Sequence, residues 1–233
     1  MLERLAQLPA CWQGLWERTL LERHGPGTLT NDQAAHVYWL QTPQWHADLR
    51  VPVSRPDFSG VQSLDDCSDE QLRFLTQQEA FCGLTRVEGN ICTWSRLYDL
   101  KPGTALDVAR MQFESDFLII ETGIAENYLE HWTLVPRSRP EAGDIAIQET
   151  DEDTFMLRSG NWSVWVTPRP APPEDMDLYA DAKTRDRAQL VWQASLILSL
   201  CEYTSVGWTV RLSTLPWLEN CVLTAPKGQV ACA

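Results

Sequence analysis

From Val37 to Val135 the chain is a succession of short runs rich in Val, Ile, Thr and aromatic residues, cut apart by Gly, Pro, Asn or Asp. Such punctuation points to consecutive antiparallel strands. Strands are predicted at 15–22, 36–42, 45–51, 84–88, 91–98, 105–113, 116–122 and 127–135, with hairpins at Glu88–Asn90, where Gly89 can supply a positive φ, and at Glu114–Asp116. The segment YWLQTPQWHADLRVP, Tyr38 to Pro52, constrains the fold most. Its His46, Asp48 and Arg50 alternate and share one strand face, while Trp45, Ala47, Leu49 and Val51 share the other. A sheet wet on one side fits this pattern, and so does a small barrel whose lumen holds a few polar groups for a ligand.

One segment departs from the strand pattern. SDEQLRFLTQQEAFCG opens with Ser68 and Gln71 at capping-box spacing, aligns Leu72, Leu75, Glu79 and Cys82 on one stripe and stops at Gly83, which predicts a helix over 69–82. The long connection before it, VPVSRPDFSGVQSLDD, suits a loop draped over a barrel mouth. Beyond Pro140, DIAIQET, DTFMLRS and NWSVWVT read as further strands, and the prolines of PRPAPPED break that sheet. A helix is expected from Tyr179 to about Ala194, then a hairpin around Gly207.

Composition removes several function classes. The net charge is −13, and between Asp107 and Asp153 twelve acidic residues face only Arg110, Arg137 and Arg139, a local balance of −9. Phosphate backbones would be repelled there, and with no basic stripe elsewhere nucleic acid is not an expected partner. Seven cysteines, an odd number without C-x-x-C spacing, argue against a disulfide framework or zinc site and read as reduced, mostly buried thiols. Glu3 and Arg4 interrupt any leader-like start, and no window approaches the roughly 18 uncharged apolar residues of a membrane span. A cytoplasmic location follows as the expectation. The four histidines include no H-x-H or H-x-x-x-H pair, and Gly-x-Ser-x-Gly, Walker and dinucleotide fingerprints are absent, so no metal, cofactor or catalytic set is expected.

Gly14-Leu15-Trp16, just before the first predicted strand, is similar to the Gly-x-Trp signature of lipocalins and calycins. In that superfamily the tryptophan plugs the closed end of an up-and-down barrel and a late arginine packs across it. The resemblance therefore implies a plug of Gly14, Trp16 and Arg137, the last just after the strand YLEHWTLV. The order of WLQTPQWHADLRVP, EHWTLVP, DTFMLRSGNWSVWV and GWTVRL also resembles a family of lipocalin-like proteins with bacterial and fungal branches, the fungal branch having two barrel-like halves and a link to the secretory translocon. This implies an all-β dominated, calycin-like antiparallel β-barrel with two or three accessory helices. It transfers no catalytic residues, and the Gly-rich loop of the haem-binding nitrobindins is missing. The expected division is an N-terminal barrel, 1–139, and a C-terminal β-rich half, 140–233, either a second small barrel-like unit or the completion of one larger barrel.

Eleven tryptophans can fill such a barrel or line a cavity in it. The polar trio His46, Asp48 and Arg50 either holds a polar ligand group or forms an exposed charge ladder. Trp94, Arg96 and Tyr98 share a predicted face, where the arginine either stacks and grips an anion or snorkels outward. His131, grouped with Leu129, Thr133 and Val135, is either a satisfied interior residue or a donor to a ligand. The candidate ligand-binding set is Trp39, Gln41, His46, Asp48, Arg50, Trp94, Arg96 and His131. The leading function is non-enzymatic binding of a small hydrophobic or amphipathic molecule in an aromatic-lined cavity. The alternatives are an interaction module with a filled barrel and acidic surface, and a calycin-type enzyme using a His–Asp pair. A homodimer is left open.

Overall fold

The computed structural model describes residues 6–25, 28–31, 34–141, 147–149, 154–173, 176 and 184–223. Its first half contains β1 (Gly14–Gly25), β2 (Thr28–Asn31), β3 (Ala35–Gln41), β4 (Trp45–Pro52), α1 (Asp69–Gln77), β5 (Glu79–Glu88), β6 (Ile91–Asp99), β7 (Asp107–Ser115), β8 (Leu118–Gly123) and β9 (Tyr128–Leu134). Then follow β10 (Ile147–Glu149), β11 (Phe155–Ser159), β12 (Trp162–Thr167), α2 (Arg187–Ala194), β13 (Ile197–Thr204), β14 (Gly207–Ser213) and β15 (Val222–Leu223). Eight antiparallel strands, β1 and β3 to β9, close into a barrel because β9 returns to pair with β1, Leu134 opposite Trp16 and Tyr128 opposite Arg23. Closure removes the exposed edges of that sheet. β10 to β15 form a second, six-stranded sheet.

The alternation in β4 does set two faces, but neither is wet. Ala47, Leu49 and Val51 point outward and, with Ala80 and Cys82 of β5, pack against Leu157, Val164, Leu198 and Leu200 of the second sheet. Trp16, Trp39, Trp94 and Trp132 gather on the inner side. The barrel wall is thus apolar on its outside wherever the second sheet covers it, because antiparallel strands buried on both faces lose the polar half of their pattern.

The expected helix is shorter than its stripe. Ser68 Oγ accepts from Gln71 N at 3.2 Å while Gln71 Oε1 accepts from Ser68 N at 2.7 Å, the reciprocal cap that the spacing predicts. The helix ends at Gln77, and residues 79–82 belong to β5 instead, Ala80 pairing with Leu49 and Cys82 with Ala47. Burying Ala80 and Cys82 on β4 outweighs one more helical turn. The connection 53–66 also departs from expectation. It packs Phe58 and Val61 against α1, α2 and Trp217 rather than lying over the barrel mouth. Among the described residues no helix is long and apolar enough to cross a membrane. The N-terminal part of the predicted helix 179–194 lies outside the described residues; α2 starts at Arg187 behind an Asp186–Gln189 cap.

Candidate functional site

One end of the barrel is sealed. Gly14 has φ +138, and a Cβ there would come within 2.7 Å of Leu134 Cδ1, so the close approach needs glycine. Trp16 is fully buried, donates from Nε1 to the Trp12 carbonyl at 2.9 Å and stacks on Trp39 at 6.4 Å. The guanidinium across it is that of Arg139, 5.2 Å from the ring centroid, not Arg137. Arg139 also donates to the carbonyls of Ala10, Cys11 and Gln13 and to that of Asp116, tying three chain segments over the plug. Arg137 sits in a turn with φ +59, which throws its side chain outward toward Glu202 at 4.0 Å. Arg137 comes just after the strand, as the resemblance implies, but its turn conformation turns it away from the plug, and the arginine two positions on takes that place.

Above the plug the lumen is polar, and most of its side chains hold one another. Gln41 Nε2 donates to the Thr42 and Trp45 carbonyls at 2.8 and 3.1 Å, which fixes its amide, and its Oε1 accepts from Trp39 Nε1 and from Thr85 Oγ1 at 3.2 and 2.9 Å. With its proton given to Gln41, the Thr85 hydroxyl accepts from His46 Nδ1 at 3.1 Å. His46 therefore carries its proton on Nδ1, and its buried Nε2 lone pair has no partner among the described residues. Burial, reinforced by Arg96, pushes its pKa down to about 3. His46 and Asp48 share a face without forming an acid–base pair, because both Asp48 oxygens accept from Arg50, at 2.9 and 3.3 Å.

Arg96 reaches the same space because Gly83 lies between it and His46 in the strand pairing and contributes no side chain. Its Cζ is 3.5 Å from the Phe81 ring centroid, and it donates from Nε and Nη2 to Asp107 at 2.9 and 2.6 Å. Tyr98 does not join it. A bulge at Leu97 shifts the β5–β6 register, so Tyr98 turns to the outer wall against Phe155, 5.3 Å away, and Asp99 turns inward. Trp94 stays inside, edge-on to Trp39 at 5.8 Å.

Strand β9 shows its other face. Tyr128, Glu130, Trp132 and Leu134 point in, and His131 lies partly buried on the outer wall, which removes it from the lumenal set. Its apolar neighbours suggested an interior, but the inner face of this barrel is the one mixing aromatics with charges. Sequence reasoning accordingly missed Arg18, Thr85, Asp107, Glu121, Tyr128 and Glu130. Arg18 and Glu130 form a nearly inaccessible ion pair at 2.7 Å. Glu121 stands opposite Glu130 across the β8–β9 pair and accepts from Tyr128 Oη at 2.7 Å and Trp132 Nε1 at 2.9 Å. Burial and the facing Glu130 raise its pKa to about 8.

The void among Trp39, Asp48, Phe81, Trp94, Glu121 and Trp132 is about 10 Å³, enough for one water at most. The open end is different. A cleft of about 990 Å³ lies over the lumen, with Arg50, Trp94, Arg96, Asp107, Tyr128 and Glu130 as its floor. The loop 99–108, Arg169, Pro170 and Trp192 form its sides. Arg169 is stacked on Trp192 at 4.5 Å and donates to the Asp99 carbonyl, which draws the proline-rich segment onto the barrel rim. Trp39, Gln41, His46, Asp48, Arg50, Trp94 and Arg96 thus converge on one lumen, four of them deep in it and Arg50, Trp94 and Arg96 also reaching the cleft.

No protein-family model and no curated protein sequence matches the chain. Its fold is similar to the crystal structure of YLR301w, an uncharacterized protein from Saccharomyces cerevisiae, with a TM-score of 0.54 over 94% of this chain and 92% of that one, at 12% sequence identity. That likeness extends to the fold alone.

Proposed function

We propose that this protein binds a small amphipathic molecule, without transforming it, in the cleft at the open end of the barrel. The observation that carries this reading is the contrast in volume: about 990 Å³ at the mouth against about 10 Å³ inside. Sites for small molecules fall in the range of roughly 300–1,000 Å³ and combine apolar walls with a few placed polar groups. Leu97 and Leu106 on the cleft wall are 55% and 69% exposed, apolar surface left facing water beside Trp94 and Trp192. The lumenal tryptophans then serve as a rigid base rather than as the walls of an inner cavity. Binding without chemistry is supported by the commitment of His46 to Thr85 and of Asp48 to Arg50, and by burial, which holds the Cys82, Cys92 and Cys201 thiols well above their ordinary range.

The neutral fluorophore N-phenyl-1-naphthylamine tests the reading. Its emission should rise saturably with protein, and Leu106→Asp, a change in an exposed loop, should weaken binding about tenfold. A linear, unsaturated response from wild-type protein overturns it. A second reading, an interaction module, is favoured by the packed lumen itself; a basic partner captured at low salt and released at high salt would support it.

A further inference from the structure

We infer that the occupant of the mouth is a cation bearing N–H donors, an ammonium or guanidinium group on an apolar body, whose head sits at Glu130. The inference rests on the cleft reading above and names the chemistry of its ligand. The basic groups around the floor already have acceptors. Arg18 holds Glu130 Oε1, Arg50 holds both oxygens of Asp48, and Arg96 is spread over Asp107 and Asp99. What is left over is an acceptor. Glu130 is 3% exposed and lines the cleft, yet its Oε2 has no hydrogen-bond partner among the described residues. A buried carboxylate oxygen without a donor is costly, and a ligand that brings the donor recovers that cost.

The surroundings favour positive charge over a neutral donor. The Asp107 carboxylate stands on the same floor as Glu130. Trp94 and Tyr128 line the same cleft with aromatic rings, suited to a cation's flank. An anion arriving at the floor would meet Glu130 and Asp107, where Arg50 and Arg96 are already held by carboxylates. A quaternary ammonium would fit the charge but could not donate to Oε2, so the site should separate it from a primary amine.

The experiment displaces N-phenyl-1-naphthylamine from the full chain with four ligands of one tail length: octylamine, octyltrimethylammonium, octanoate and octanol. Octylamine is expected to bind at least tenfold more tightly than octanoate and octanol, with octyltrimethylammonium between. Glu130→Gln should reduce the octylamine preference to about the level of octanol. Octanoate binding as well as or better than octylamine overturns the inference and leaves the cleft reading standing. Failure of all four, and of the fluorophore, overturns both. The wild-type series decides even if Glu130→Gln does not fold, and a folded Glu130→Gln protein that keeps the amine preference also refutes the assignment.

Discussion

The two ends of the barrel use arginine over aromatic rings in opposite ways. At the sealed end Arg139 lies over Trp16 and sends its donors into backbone carbonyls. At the open end Arg96 lies over Phe81 and sends its donors into carboxylates. Those acceptors are neutral backbone carbonyls, and they bind three chain segments together over the plug. Carboxylates are costly to bury, so the open end is left with an orphan oxygen on Glu130 and with Glu121, whose pKa burial and Glu130 raise to about 8. The same stacking geometry makes a plug in one place and an unfinished floor in the other.

Trp16→Ala should break the sealed end most severely. Removing a large, fully buried ring costs about 3–5 kcal/mol, read as a fall in the denaturant midpoint. At the other end, Arg18→Met leaves Glu130 buried without its partner and should cost about 3 kcal/mol. The double variant Arg18→Met with Glu130→Gln should recover most of that loss, since the damage lies in the unpaired charge rather than in lost contact. A double variant no better than the single one would show the pair to matter through packing.

The smallest effect is a pH profile. Glu121 titrates from its ordinary 4.5 when unfolded to about 8 when folded, so its contribution is full below 4.5 and lost as pH rises through 8. His46 moves from 6.5 to about 3, so its contribution is full above 6.5 and lost as pH falls toward 3. Between those limits the two slopes, each at most about 1.4 kcal/mol per pH unit, cancel. Stability should form a plateau from about 4.5 to 6.5 and decline on both sides. Glu121→Gln should remove the alkaline decline and leave the acid one, measured by chemical unfolding across pH.

Much of this arrangement was legible in period-two alternation. It placed His46, Asp48 and Arg50 on one face and Ala47, Leu49 and Val51 on the other, as found. It could not reveal that a second sheet covers the apolar face, because covering is a long-range event. The Leu97 bulge left no local signal, so Tyr98 was grouped on one face with Trp94 and Arg96, which it does not share. Leu118, Ile119 and Ile120 precede Glu121 without alternation, which hid a carboxyl held by a tyrosine and a tryptophan. In β9 the rule that apolar residues point inward selected the His131 face, whereas a lumen built from aromatics and paired charges inverted that preference. Arg139 was missed by two positions because the resemblance points to the first arginine after the strand, and nothing local shows that a left-handed turn at Arg137 sends that side chain away.

The clasp of Arg139 also bears on how the barrel comes into being. It joins residues separated by 129 positions at Ala10, and the neighbouring Arg18–Glu130 pair spans 112. While the chain is being synthesised, β1 has its β3 side occupied early and its β9 side empty until nearly the whole circumference has emerged. Ring closure is therefore a late, entropically expensive step, and until it happens the rim of β1 is an adhesive ribbon for any other growing chain.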